Sequence, residues 1–152
     1  MRYAPLTAPV RISLDAVKAP WEPAPFRAEG VAPPARLRQG YGGQARRVLL
    51  SGVLFRRVTK DERPPLSAVC VTCTHEQCQV DFIAETTALP RTDHLMTHPV
   101  FLCGCHSSVF DAGDDGAWIA GPAPRGLYRF RVRVDGDTVE ITDVEEEALF
   151  AV

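Results

Sequence analysis

Two short boxes constrain this chain more than any other feature: Cys73-Thr74-His75-Glu76-Gln77-Cys78 and Cys103-Gly104-Cys105-His106-Ser107-Ser108. Each supplies one Cys and one His at near-contact spacing, and each holds a second Cys. Two thiolates and two imidazoles, one of each per box, suit a metal cluster whose irons carry different ligands. The fold therefore has to bring both boxes to one place. Of the five cysteines, four lie in these boxes, interleaved with histidines. In a small secreted domain such a set would suggest a disulfide scaffold. The interleaving favours metal ligation, with at most one disulfide.

The spacing narrows the metal chemistry. One box reads C-x-H and the other C-x-x-H. Structural zinc sites pair two close cysteines with two close histidines, each pair on its own segment, and C-x-H is too tight for that. An ordinary plant-type iron–sulfur cluster takes four thiolates. Two Cys with two His match the mixed-ligand 2Fe–2S cluster, where two histidines replace two cysteines on one iron. A zinc-stabilised structural β module is the rival from a different functional class.

Around the boxes the pattern is that of short strands. Val10, Ile12 and Leu14 alternate with polar residues, as in a half-buried strand. From Lys18 to Arg47 no period survives; this stretch is first proline-rich, then glycine-rich and basic, and reads as a flexible insertion. Val48–Leu50, a Ser51-Gly52 turn and Val53–Val58 read as a hairpin. Leu66–Thr72 leads into the first box, Val80–Ala84 alternates after it, and Pro99–Leu102 and Val109-Phe110 flank the second. The clearest hairpin is C-terminal. Tyr128, Phe130, Val132 and Val134 form one face, Arg129, Arg131 and Arg133 the other, and Asp135-Gly136-Asp137 turns the chain. Glu140 then faces Arg131 or Arg133, depending on register. Glu145–Leu149 reads as one acidic helical turn. Short strands with Gly/Pro turns predict an all-β sandwich or barrel. The expected organisation is an N-terminal segment 1–17 with the first strand, the insertion 18–47, a β domain 48–142 and an acidic tail 143–152.

The boxes CTHEQC and CGCHSS resemble those of the Rieske 2Fe–2S family. The similarity is greatest to the disulfide-bearing type found in quinol-oxidising cytochrome bc complexes, with CTHxxC and CxCHxS. Gly121-Pro122-Ala123-Pro124 resembles the proline loop that packs over the cluster in that type. The resemblance covers roughly Val48 to Ile141 and implies a Rieske-like antiparallel β fold with a small cluster-binding subdomain. It further implies that Cys73 and Cys103 ligate the inner iron, and His75 and His106 the outer one. Cys78 and Cys105 would form a disulfide joining the two loops, worth about 3 kcal/mol by chain entropy. Ser108 would donate a hydrogen bond to a bridging sulfide, favouring the reduced cluster. Neutral imidazoles donate less charge than thiolates, which raises the potential. They can also take a proton as the cluster takes an electron.

Departures from the family pattern carry their own expectations. Phe110 stands where high-potential members often carry tyrosine, so the potential should be lower. Glu76-Gln77 replaces the usual Leu-Gly, placing a carboxylate at the apolar docking tip, where it resists burial. Gly104 replaces a common proline and Ser107 a common glycine, which suggests altered loop geometry. His94 and His98 read as surface-loop histidines and Cys70 as a small buried hydrophobe. Asp111, Asp114 and Asp115 lack calcium-loop spacing and read as a polar turn.

The expected role is a Rieske electron-transfer subunit. It would take electrons from a quinol-oxidising cytochrome b-type subunit, or another donor, and pass them to a cytochrome. It would not be catalytic alone. Within the family, a small subunit of another respiratory oxidoreductase (arsenite-oxidase-like) fits nearly as well, and a soluble Rieske ferredoxin normally lacks the extra cysteine pair. At 152 residues the chain has no room for a separate oxygenase domain. A net charge of −2 gives no basic surface for nucleic acid. No apolar run approaches a membrane span, and Met1–Pro5 lacks the apolar core expected of a signal peptide. A place at the outer face of an energy-transducing membrane would then be reached through partners or a missing N-terminal anchor.

Overall fold

The computed structural model describes residues 2–34, 45–58, 65–85 and 99–151. His94 and His98, and residues 35–44 of the expected insertion, lie outside the described residues.

The fold is all-β, and the described residues form three antiparallel sheets. One sheet is ordered β1 (Tyr3–Ser13), β10 (Thr138–Glu145), β9 (Phe130–Asp135). The second is ordered β2 (Ala24–Ala32), β3 (Arg46–Arg56), β4 (Leu66–Cys70). Their apolar faces share one core with Val17, Tyr128 and Leu149. At its centre the rings of Phe26 and Phe130 meet edge to face, 5.0 Å apart. A short helix, α1 (Ala148–Ala151), contributes Ala148 and Leu149 to the same core. Together these elements make the base.

The third sheet, β5 (Val80–Ile83), β6 (Val100–Cys103), β7 (Val109–Asp111) and β8 (Ala117–Ala120), has its own core. Phe55, on β3, reaches into that core and packs against Phe101 and Phe82. The small subdomain is therefore joined to the base through a shared strand and its apolar contacts. Both boxes lie on it: the first between β4 and β5, the second in the β6–β7 connection.

The proline-rich stretch contains β2, which pairs with β3 along its whole length from Ala24–Leu54 to Ala32–Arg46. Its buried positions are Phe26, Ala28, Gly30 and Ala32; apart from Phe26 these are small residues that leave little hydrophobic signal. Gly30 is small because a Cβ there would lie 2.5 Å from a Leu149 methyl. Ser51-Gly52 is no turn but the interior of the continuous strand β3. A Cβ at Gly52 would lie 2.5 Å from the Phe26 ring, so glycine here serves packing and not chain reversal.

The C-terminal hairpin forms as read, with Gly136 at positive φ in its turn. Its register places Glu140 opposite Arg133, whose guanidinium donates at 2.5 Å; Arg11 of β1 approaches from the other side at 3.6 Å. The acidic tail is less helical than read, because Glu145 still belongs to β10 and α1 begins at Ala148.

Candidate metal centre

The two boxes differ in sequence yet fold alike. In the first, the Cys73 N–H donates to Cys78 O (2.6 Å) and the Gln77 N–H to Cys73 O (3.0 Å). In the second, the Cys103 N–H donates to Ser108 O (2.9 Å) and the Ser107 N–H to Cys103 O (2.9 Å). The fifth residue of each turn, Gln77 or Ser107, takes a left-handed conformation at φ 62°. These residues adopt the conformation glycine favours and bear the steric cost of a Cβ there.

The paired turns bring the predicted residues together. The His75 and His106 rings stand edge to face, 4.8 Å between centroids. Cys73 and Cys103 are free thiols, each about 1% exposed. Cys78 and Cys105 form a disulfide spanning 27 residues and tie one loop to the other. Burial pushes the Cys73 thiol up, while the main-chain N–H groups of His75 and Glu76 favour its thiolate. Such N–H groups around a sulfur are what an iron–thiolate centre requires.

A 2Fe–2S cluster fits this donor set. His75 Nδ1 is buried and has no hydrogen-bond partner in the protein, a costly state unless a metal takes the nitrogen. His106 points Nε2 toward Glu76 Oε2 at 3.5 Å, which leaves Nδ1 for iron. The centre is thus polar in layout: two buried thiols inside, two imidazoles toward solvent. Glu76 sits beside the imidazoles and is 60% exposed on its side chain, so the tip carries a solvated carboxylate.

A covering loop, Gly121–Arg125, closes the site from the other side. Gly121 has φ +94°, and a Cβ there would lie 2.5 Å from Ser108 Cα, so only glycine allows this approach. Trp118 Nε1 donates to Gly121 O (3.1 Å). The Ala123 N–H donates to the fully buried Ser108 Oγ (3.1 Å), leaving the Ser108 hydroxyl hydrogen free to be donated elsewhere. Thr74 Oγ1 donates to Arg125 O (2.8 Å).

Thr74, Arg125 and Glu145 were not singled out from sequence. Thr74 lies inside the first box, and that was its only signal. Arg125 and Glu145 meet through tertiary folding and leave no local trace. Cys70 is buried in the base core, and desolvation pushes its thiol far above the ordinary range, consistent with an inert packing residue. The Asp111–Gly116 segment is a polar turn. Asp111 Oδ1 accepts from the Gly113 N–H (2.8 Å), while Asp115 accepts from Ser67 Oγ and lies 3.7 Å from Arg57.

A family model for the Rieske [2Fe-2S] domain matches residues 31–151. No curated protein matches the chain.

Proposed function

The chain belongs to the Rieske [2Fe-2S] domain family, and from that premise we propose that it is the iron–sulfur subunit of a quinol–cytochrome c reductase-like complex. Family membership makes it an electron-transfer protein with a 2Fe–2S cluster; the complex is the finer reading. One observation carries that reading: a histidine pair facing solvent, backed by buried thiols, on loops joined by the Cys78–Cys105 disulfide. When bound, the cluster accepts and releases one electron at a time.

We assign Cys73 and Cys103 to the inner iron through Sγ, and His75 and His106 to the outer iron through Nδ1. Burial of the two sulfurs leaves the imidazole edge as the route for electrons. His106 Nε2 lies on that edge and is the atom at which a proton leaves or returns. Ser108 holds its hydroxyl against the Ala123 N–H and keeps its own hydrogen for a sulfide. In this reading the donor is a quinol at a cytochrome b-type subunit and the acceptor a cytochrome. The protein then works at the outer face of an energy-transducing membrane, attached through partners. Among the described residues no helix is long and apolar enough to cross a membrane.

A second reading has specific support from Glu76. Its carboxylate occupies the hydrogen-bonding edge of His106, so a small subunit of another respiratory oxidoreductase, arsenite-oxidase-like, with a protein donor is the alternative. The test is low-temperature EPR of the dithionite-reduced protein, with iron, zinc and acid-labile sulfide measured on the same sample. A rhombic signal of low average g, followed by reduction of the cluster by a quinol analogue in the presence of the membrane partner, supports the first reading. A Rieske signal without quinol reactivity favours the second. Zinc without iron would overturn both.

A further inference from the structure

Resting on the cluster assignment above, we propose that Glu145 of the base is a remote positioning residue for the cluster, acting through Arg125 on the covering loop. Glu145 lies at the end of β10 with a side chain only 2% exposed. Both of its oxygens accept from Arg125 Nη2 at 2.7 Å, and Oε2 also accepts from the Arg129 N–H at 2.7 Å. The Arg129 carbonyl in turn accepts from the Glu145 N–H at 3.0 Å. The carboxylate is thereby fixed by the base itself. Arg125 is held further by the Tyr128 ring, 4.5 Å below its guanidinium, and by Glu147 at 3.2 Å.

From Arg125 two short paths lead to the cluster loops. Its own carbonyl receives the Thr74 hydroxyl, between the expected ligands Cys73 and His75. Two residues earlier, the Ala123 N–H holds Ser108 Oγ. The hydrogen bonds of the loop from Trp118 and to Ser108 stay within the small subdomain. The Arg125 side chain reaches the base, so Glu145 sets where the loop rests relative to both boxes. A charge-assisted, doubly bonded and largely desolvated pair is suited to this, because its geometry is stiff. If the pair opens, the loop loosens and Ser108 loses its orientation. The reduced cluster is then less well stabilised, and the potential falls.

The test uses the full-length holoprotein and the variants Glu145→Gln, Arg125→Gln and Arg125→Lys. Glu140→Gln is the control, since Glu140 is also a buried, arginine-paired glutamate of β10 but faces Arg133 and Arg11. The readouts are EPR g-values, the midpoint potential and the rate of bleaching under a chelator. Glu145→Gln and Arg125→Gln should shift the g-values, lower the midpoint and bleach about tenfold faster. Arg125→Lys should recover part of each effect, and Glu140→Gln should lose stability with an unchanged signal. If Glu145→Gln fails to fold, Arg125→Gln decides, because that side chain is 28% exposed and better tolerates replacement. Wild-type g-values and midpoint in Arg125→Gln, or equal shifts in Glu140→Gln, would overturn the proposal alone. A wild-type protein without a Rieske signal would overturn the cluster assignment and the proposal together.

Discussion

Single side chains at the centre tune it in opposite senses. Phe110 is fully buried on β7, beside the second box, and cannot donate a hydrogen bond. A Phe110→Tyr variant should raise the midpoint potential by on the order of 60 mV, the one-electron equivalent of about 1.4 kcal/mol for one hydrogen bond to a charged partner. Redox titration of the two proteins side by side checks this, and equal midpoints would refute it. Gln77 and Ser107 bear left-handed backbone strain of about 1–2 kcal/mol each. Glycine removes that strain but adds unfolded-state entropy worth about 0.4–1 kcal/mol. Gln77→Gly and Ser107→Gly should therefore each stabilise the protein by about 0.5–1 kcal/mol, read as a higher denaturant midpoint at unchanged slope. Gly104 needs no such freedom: it lacks positive φ, and a Cβ there meets nothing within 4 Å.

At the scale of elements, one interruption in the sequence pattern turned out to be a packing device. Gly52 lets Phe26 cross β3 and meet Phe130, so the strand runs straight through the apparent turn. Gly52→Ala would drive a methyl into two aromatic rings and should cost about 1–3 kcal/mol, measurable by urea denaturation, while leaving the cluster spectrum intact. The disulfide acts between loops. Removing it in a Cys78→Ser, Cys105→Ser double variant frees a loop closed over 27 residues, worth about 3–4 kcal/mol by chain entropy. The expected outcome is lower cluster occupancy and faster bleaching, scored by iron content and visible absorbance. Retained occupancy would assign the stiffness of the loops to the covering segment instead.

Across the whole molecule, folding shields two ionisable groups of the base core. Burial raises Cys70 above its ordinary 9.0 and Tyr128 above 10.0. Both are acids kept neutral by folding. The unfolded chain therefore loses their protons first as pH rises. Stability is fully present below about pH 9 and declines as pH climbs through the two unfolded values. Denaturant midpoints measured from pH 7 to 10.5 should fall above pH 9, and Cys70→Ala should flatten the first part of that fall.

What the sequence determined by itself was the chemistry and the class of fold. Ligand-type residues at C-x-H and C-x-x-H spacing, and the glycine–proline segment, are local signals, because they record which atoms a short loop must present. The alternation of Val10–Leu14 and Tyr128–Val134 is equally local, since a strand with one buried face writes its period into adjacent residues. What only the tertiary structure decided was how distant pieces share space. β2 was invisible because its buried face beyond Phe26 is only Ala and Gly, with Gly30 sized by Leu149 rather than by strand propensity. Glu140 could be matched to Arg133 only once the hairpin register was known. Arg125 and Glu145 are separated by a full hairpin, and nothing in either neighbourhood records that one charge needs the other. Their pairing arises from three-dimensional desolvation, which no sequence period encodes.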